Sequence, residues 1–299
     1  MWLRGCTGEF MRVWRGCMAR AISGGLTYTR CMAKVHPTAI VDDQVELGEG
    51  VEIGPFCVVR GAVKLGEGVR LLSNVSMQGP VEIGAGTVVY PGAAIGFEPQ
   101  DYKFKPGMAT AGVVIGEQSI IREHVTVHAA SNEQKPTRIG SRTMMMVGSH
   151  AGHDVTVGDD VVIVNASLLG GHSVVQDRVT MSGSVLVHQF CRVGRQAMCS
   201  GGSVLTGDLP PYCMSAGRNM VMGLNMVGMR RSGMPSEEIE AVRKAYKKVL
   251  RHNPPMSEMR AQLDELGKHS VAVKHIADFI SEAKRPIVPV GGRRSQGRD

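Results

Sequence analysis

Aliphatic residues return at every sixth position of this chain in two long registers. One runs from Val35 through Val41, Leu47, Ile53 and Leu65 to Ile95. The other runs from Ile139 through Ala151, Val157, Ile163, Leu169 and Val187 to Leu205, with Cys199 in one slot. Ile115, Ile121 and Val127 keep the same spacing between them. A glycine often follows the aliphatic residue, as in Ile53-Gly54, Ile83-Gly84 and Val157-Gly158. A six-residue beat fits neither a helix nor simple strand alternation. It predicts a solenoid of short flat strands in which each hexad turns one aliphatic side chain inward. Such coils bury their apolar residues only by stacking on one another.

The beat spans 35–209 and breaks twice. Residues 97–113 carry Gln100, Asp101, Lys103 and Lys105; residues 129–138 carry Ser131, Asn132, Lys135 and Pro136. Insertions into solenoids form loops that tend to mark the binding face. Pro210-Pro211 cannot continue a ladder, and 210–235 reads as a Gly- and Met-rich link. Helical spacing then begins at Ser236, an expected N-cap ahead of Glu237, Glu238, Ile239, Val242, Ala245, Tyr246 and Val249. Further helices are expected over about 257–266 and 272–284. An α-helical C-terminal domain thus covers 236–289, with a disordered tail over 290–299.

Composition adds compartment and partners. Aromatics are only 4% of the 299 residues, as a thin solenoid requires. Of the net charge of +7, the first 34 residues hold five Arg and one Lys against one Glu. The excess is therefore an N-terminal property and does not argue for nucleic acid. Two readings fit 1–34: a mitochondrial presequence, or an over-long start with the true beginning at Met32; either leaves it as a disordered leader. No apolar run approaches the roughly 18 residues of a membrane span. The seven cysteines show no paired spacing, which favours a reducing compartment, the cytoplasm.

Six of the ten histidines fall between 124 and 188. In a coil of three hexads, positions about 18 apart stack, so His153, His172 and His188 are expected in one column at about 4.8 Å per coil. His150 and Asp154 flank His153. Imidazoles beside a carboxylate suit proton transfer; a zinc site and plain surface histidines are the competing readings.

The motifs Val35-His36-Pro37-Thr38-Ala39-Ile40, Gln100-Asp101-Tyr102-Lys103, His150-Ala151-Gly152-His153-Asp154, Gly170-Gly171-His172, Val187-His188-Gln189-Phe190-Cys191 and Gly228-Met229-Arg230-Arg231 carry a specific resemblance. Over about 35–285 the chain resembles the hexapeptide-repeat acyltransferases, and among them the UDP-N-acetylglucosamine 3-O-acyltransferase family of lipid A synthesis. The resemblance implies a left-handed parallel β-helix assembled as a homotrimer with sites between subunits, working without metal or other cofactor. It makes His153 the general base, Asp154 its orienting partner, Gly171 the oxyanion donor and His172 a substrate-orienting residue. Gln100, Asp101, Lys103, His150, His188, Gln189, Asn225 and Arg231 would contact the nucleotide sugar. The acyl donor would be a hydroxyacyl chain on acyl carrier protein.

Two positions stand out against the family pattern. Val227 replaces a Glu two residues after the Asn, removing one expected uridine contact. Gly201 falls at an acyl-length position, where its missing side chain suits a longer chain. The basic positions Arg243, Lys244, Lys247, Lys248 and Arg251 fit either a docking face for an acidic carrier protein or a solvated helix face balanced by Glu237, Glu238 and Glu240. Rivals on the same fold are the related N-acyltransferase, which carries an extra N-terminal domain, and a γ-class carbonic anhydrase, which needs a zinc triad. A catalytically silent assembly subunit is the third.

Overall fold

The computed structural model describes residues 32–291; residues 1–31 of the expected 1–34 leader and the end of the expected tail lie outside the described residues, while Lys34 already belongs to a strand. Strands of mostly two or three residues stack into three parallel sheets of 11, 9 and 8 strands, which we call I, II and III. The chain visits them in strict rotation: Lys34–Val35 in I, Ile40–Val41 in II and Glu46–Leu47 in III. Each register position therefore pairs with the next one of its own sheet, as in Ile53 with Leu71 and Ala151 with Leu169. The two insertions leave this stack intact, since Ile83 pairs with Ile115 and Ile121 with Met145. Their strands begin earlier than the beat suggested: Val113, Thr137 and Arg138 are already paired.

The hexad buries two side chains rather than the one expected. The residue two places before each aliphatic position also points inward, as in Val69 with Leu71 or Val161 with Ile163. Many of these second positions are Ser, Thr, Ala or Cys, so hydropathy alone hid them. Several of the hydroxyls compensate their burial by joining coils: Thr87 Oγ1 donates to the Gly116 carbonyl at 2.8 Å and accepts from Ser119 N at 3.1 Å, whereas those of Ser149, Ser173 and Ser203 have no hydrogen-bond partner among the described residues. Cys199 is fully buried in its slot, and desolvation pushes its thiol up to about 12. The glycine after the aliphatic residue answers a close approach. A Cβ on Gly54 would fall 1.5 Å from the Leu72 carbonyl oxygen.

Residues 210–235 are more ordered than a link. Cys213–Ser215 extends sheet I, Val221–Leu224 pairs with it antiparallel, and helix α1 spans Met226–Arg231. Helices α2 (Ser236–Lys248), α3 (Met256–Gly267) and α4 (Val271–Ser281) follow. Ser236 is not the cap it was expected to be. The extended Pro235 precedes the helix and Ser236 lies within its first turn, its hydroxyl donating to Glu237 at 3.2 Å. The capping serine is Ser270, which accepts from Val273 N on α4 and donates to Glu238 of α2 at 2.6 Å.

Helix α4 docks on the solenoid through Arg192. Its guanidinium lies 4.1 Å from the Phe279 ring centre and donates to the Phe279 carbonyl and to buried Asp208. Beyond α4 the chain turns back as a strap. Asp208 N donates to the Pro286 carbonyl, Val288 N to Asp208, and Gly291 N to Val221. Among the described residues no helix is long and apolar enough to cross a membrane.

Candidate active site

Both insertions leave the solenoid at one edge, where sheet II passes to sheet III, and they pack on each other there. Ala129 N donates to Phe97, Ala111 N to Asn132, and Ala130 N to Gly112. The next coils along this edge turn at residues 152–154, 170–172 and 188–190.

At the first of these turns, His153 Nδ1 donates to Asp154 Oδ2 at 2.7 Å. That carboxylate fixes the tautomer, leaving Nε2 free to act as a base. Asp154 is itself clamped by the second insertion. Ser131 donates from its hydroxyl at 2.6 Å and its backbone N–H at 3.1 Å, and Asn132 Nδ2 donates at 2.7 Å. Burial pulls the Asp154 carboxyl upward, but the Ser131 hydroxyl, His153 and the Ser131 N–H together outweigh it, so the group stays below its ordinary range. Ser131 and Asn132 were legible only as polar members of a loop; nothing in their spacing tied them to Asp154.

The histidine column differs from the expected one by a residue. His172 N donates to the His153 carbonyl, so His172 stands level with Asp154 and Phe190, while His153 stands over Gly171. His188 follows the Leu169–Val187 pairing, level with Gly170, and points to solvent with Nδ1 donating to the Gln189 carbonyl at 3.2 Å. The 19- and 16-residue spacings each miss the 18-residue register. His153 and His172 still meet edge to face at 5.1 Å, and His172 lies flat on Phe190 at 4.6 Å. A Cβ on Gly171 would fall 2.7 Å from His153 Nε2, so only glycine lets this imidazole rest on the backbone there. The Gly171 N–H donates to no acceptor among the described residues.

His150 projects from the outer face of sheet II one strand before His153. It hydrogen-bonds Thr126 Oγ1 at 2.7 Å and meets the His128 ring at 5.4 Å. Burial, with the charges of His128 and His153, lowers it to about 4. Asp101 and Lys103 occupy the first insertion, where Asp101 accepts from the Lys103 N–H; Gln100 is exposed beside them. The ligand atoms of His153, Asp154 and His172 lie within 4.8 Å of one another, close enough to hold a metal. Against that use, both Asp154 oxygens already accept hydrogen bonds from Ser131 and Asn132.

Three expected site residues lie elsewhere on this chain. Asn225 is buried where sheet III meets sheet I, its amide donating to the Gln196 carbonyl and its oxygen capping α1 through Gly228 N. Arg231 ends α1, exposed. Gly201 sits on the third edge, with only the Gly183 carbonyl near its missing Cβ, at 3.5 Å. Of the basic helix positions, Arg243 pairs with Glu240 at 2.6 Å, and Lys244, Lys247 and Lys248 face solvent.

Residues 208–288 match the family model described as Udp N-acetylglucosamine O-acyltransferase, Domain 2. An acyl-(acyl-carrier-protein)–UDP-N-acetylglucosamine O-acyltransferase of Alkalilimnicola ehrlichii is 45% identical over 86% of this chain and 100% of its own length. The protein of that name from Stenotrophomonas maltophilia is 42% identical over 85% and 97%. Among solved structures, the UDP-N-acetylglucosamine acyltransferase of Francisella novicida superposes with a TM-score of 0.83 at 32% identity, covering 88% of this chain and 95% of that one. Relatives this similar and this fully covered leave neither the zinc hydratase nor the silent subunit as a reading. The chain belongs to the acyl-(acyl-carrier-protein)–UDP-N-acetylglucosamine O-acyltransferase family.

Proposed function

We propose that this chain moves an (R)-3-hydroxyacyl group from acyl carrier protein to the 3-hydroxyl of UDP-N-acetylglucosamine, the first step of lipid A synthesis, with His153 as the general base. His153 Nε2 takes the hydroxyl proton while Asp154 holds the imidazole and steadies the charge it gains. The alkoxide attacks the thioester carbonyl, and the Gly171 N–H receives the oxyanion. Collapse expels the carrier thiolate, which takes the proton back from His153. No enzyme nucleophile and no metal takes part. The observation that carries the reading is the 2.7 Å His153–Asp154 bond, with Asp154 clamped by Ser131 and Asn132.

His172 orients the substrate, and Gln100, Asp101, Lys103, His150, His188 and Gln189 grip the sugar nucleotide along the same edge. Asn225, Arg231 and Gly201 lie on other edges of the single chain. A homotrimer, which sets one chain's edge against its neighbour, is part of the proposal, and so is a cytoplasmic setting. Gly201 leaves room for a longer acyl chain. The test is acyl transfer from carrier proteins of several chain lengths to UDP-N-acetylglucosamine, with and without chelator. Transfer insensitive to chelator and favouring longer donors is expected. Dependence on metal, or a clear preference for the shortest donor, refutes the corresponding part.

A further inference from the structure

The strap after α4 ends beside the active-site column. Its backbone bonds to Asp208 and Val221 bring Arg285 to the site edge. There the Arg285 guanidinium carbon stands 5.6 Å from the centre of the Phe190 ring, which lies flat on His172. His153, His172, Phe190 and Arg285 thus follow one another up the edge. Phe190 is 47% exposed, so the face between ring and guanidinium is open. Arg285 forms no ion pair with any described residue. Asp208, whose carboxyl feels its charge, is already occupied by the Nε and backbone N–H of Arg192. A guanidinium with unspent donors beside a reaction centre fits an anion, and its planar fork suits phosphate best.

Resting on the function proposed above, we infer that Arg285 binds the phosphodiester of the carrier protein's prosthetic arm and so positions the thioester at His153. The lengths agree. The steps of 5.1, 4.6 and 5.6 Å from ring to ring to guanidinium put Arg285 no more than about 15 Å from His153. The arm from thioester sulfur to phosphorus is about thirteen bonds, equal to about four residues of extended chain, or about 15 Å. The nucleotide diphosphate offers the same chemistry from the other substrate, so the test separates the two sources.

The experiment compares acyl-phosphopantetheine with acyl-pantetheine, which lacks the phosphate, in wild type and R285Q. Wild type should prefer the phosphate-bearing donor by about tenfold in kcat/KM, the value of one charge-assisted bond. R285Q should lose that preference through the phosphate-bearing donor alone, keeping its rate on acyl-pantetheine and its KM for UDP-N-acetylglucosamine. R285K, which keeps charge but not the fork, should fall between them, and it replaces R285Q if that variant does not fold. A preference that survives in R285Q overturns the inference, as does a rise confined to the KM for the nucleotide sugar. A wild type that uses both donors equally overturns the inference alone. A wild type that transfers from the intact carrier protein but from neither free arm overturns the inference alone, and one that transfers from none of the three overturns the proposed function as well.

Discussion

Two edges of the prism follow one backbone rule and end with opposite chemistry. Where sheet III passes to sheet I, Arg142, Asp160, Arg178 and Gln196 take positive φ; where sheet II passes to sheet III, Asp154, His172 and Phe190 do the same. On the III–I edge the charges pair in water. Arg142 Nε bonds Asp160 at 2.7 Å and Arg195 bonds Asp177 at 3.0 Å, with these side chains about a third to a half exposed. On the II–III edge the Asp154 side chain is only 7% exposed, because the second insertion closes over it. The repeat supplies the position, and the insertion supplies the dry, donor-lined setting in which a carboxylate acts strongly on its neighbour. An exposed pair of the same geometry does little.

Deleting a group from each edge tests that contrast most severely. H153A should lower kcat by about 10²–10⁴-fold, the usual contribution of a general base, with no change in circular dichroism. D154N should fall in the same range, because an amide turns an NH₂ toward donors that need an acceptor. R142A and D160A should leave steady-state transfer unchanged. Equal losses at both edges would show that the corner geometry, not its enclosure, makes the site.

Opening the enclosure while keeping the histidine is the next test. S131A removes the strongest hydrogen bond holding Asp154 down, and with N132A it should cost about tenfold or more in kcat, as mispositioning does. The sign on pH follows. Asp154 is held below its ordinary value, so it stays charged as pH falls into the acid range; without Ser131 its pKa rises, and the acid limb of the rate profile should move to higher pH. A limb that stays in place would remove Ser131 from the relay.

The same contrast separates what could be read along the chain from what could not. The beat at Ile53, Leu65 and Ile163 carries the coil because each hexad must bury an aliphatic residue. The second inward position escaped because Ser119 or Thr143 satisfies itself by bonding a neighbouring coil. Spacing brought His153 and His172 to one edge, but a one-residue error in register decides which groups touch, and only the paired strands settle it. The Asp154 clamp depends on how two loops fold over each other, and Arg285 arrives through a strap about ninety-five residues from Phe190 in the chain. Periodicity carries no information on either.

F190A tests whether the column is more than adjacent residues. A stacked ring is worth about 0.5–1.5 kcal/mol, so His172 should lose orientation and kcat/KM should fall by several-fold. Phe190→Tyr, which keeps the ring, should restore most of the rate. Loss of thermal stability without loss of rate would make Phe190 a packing residue only.

The smallest effect is read at His150 in stability, apart from its part in gripping the sugar nucleotide. Its pKa falls from an ordinary 6.5 to about 4, first through burial and then through the charges of His128 and His153. The folded chain therefore resists a proton that the unfolded chain accepts below 6.5. Stability should be complete above that value, decline as pH drops toward about 4, and flatten below it. Asp154 does not blur this window, since its depressed carboxyl keeps its stabilising effect until pH falls below its ordinary 3.8. His275 does blur it, being lowered by burial and by Arg195 in the same direction. The informative quantity is therefore the difference between wild type and H150Q: their Tm values should converge between pH 6.5 and 4 because only wild type loses the His150 contribution. A constant gap across that range would mean that His150 takes up its proton as readily folded as unfolded, and that sheet II's outer face is as wet as the charged edge opposite it.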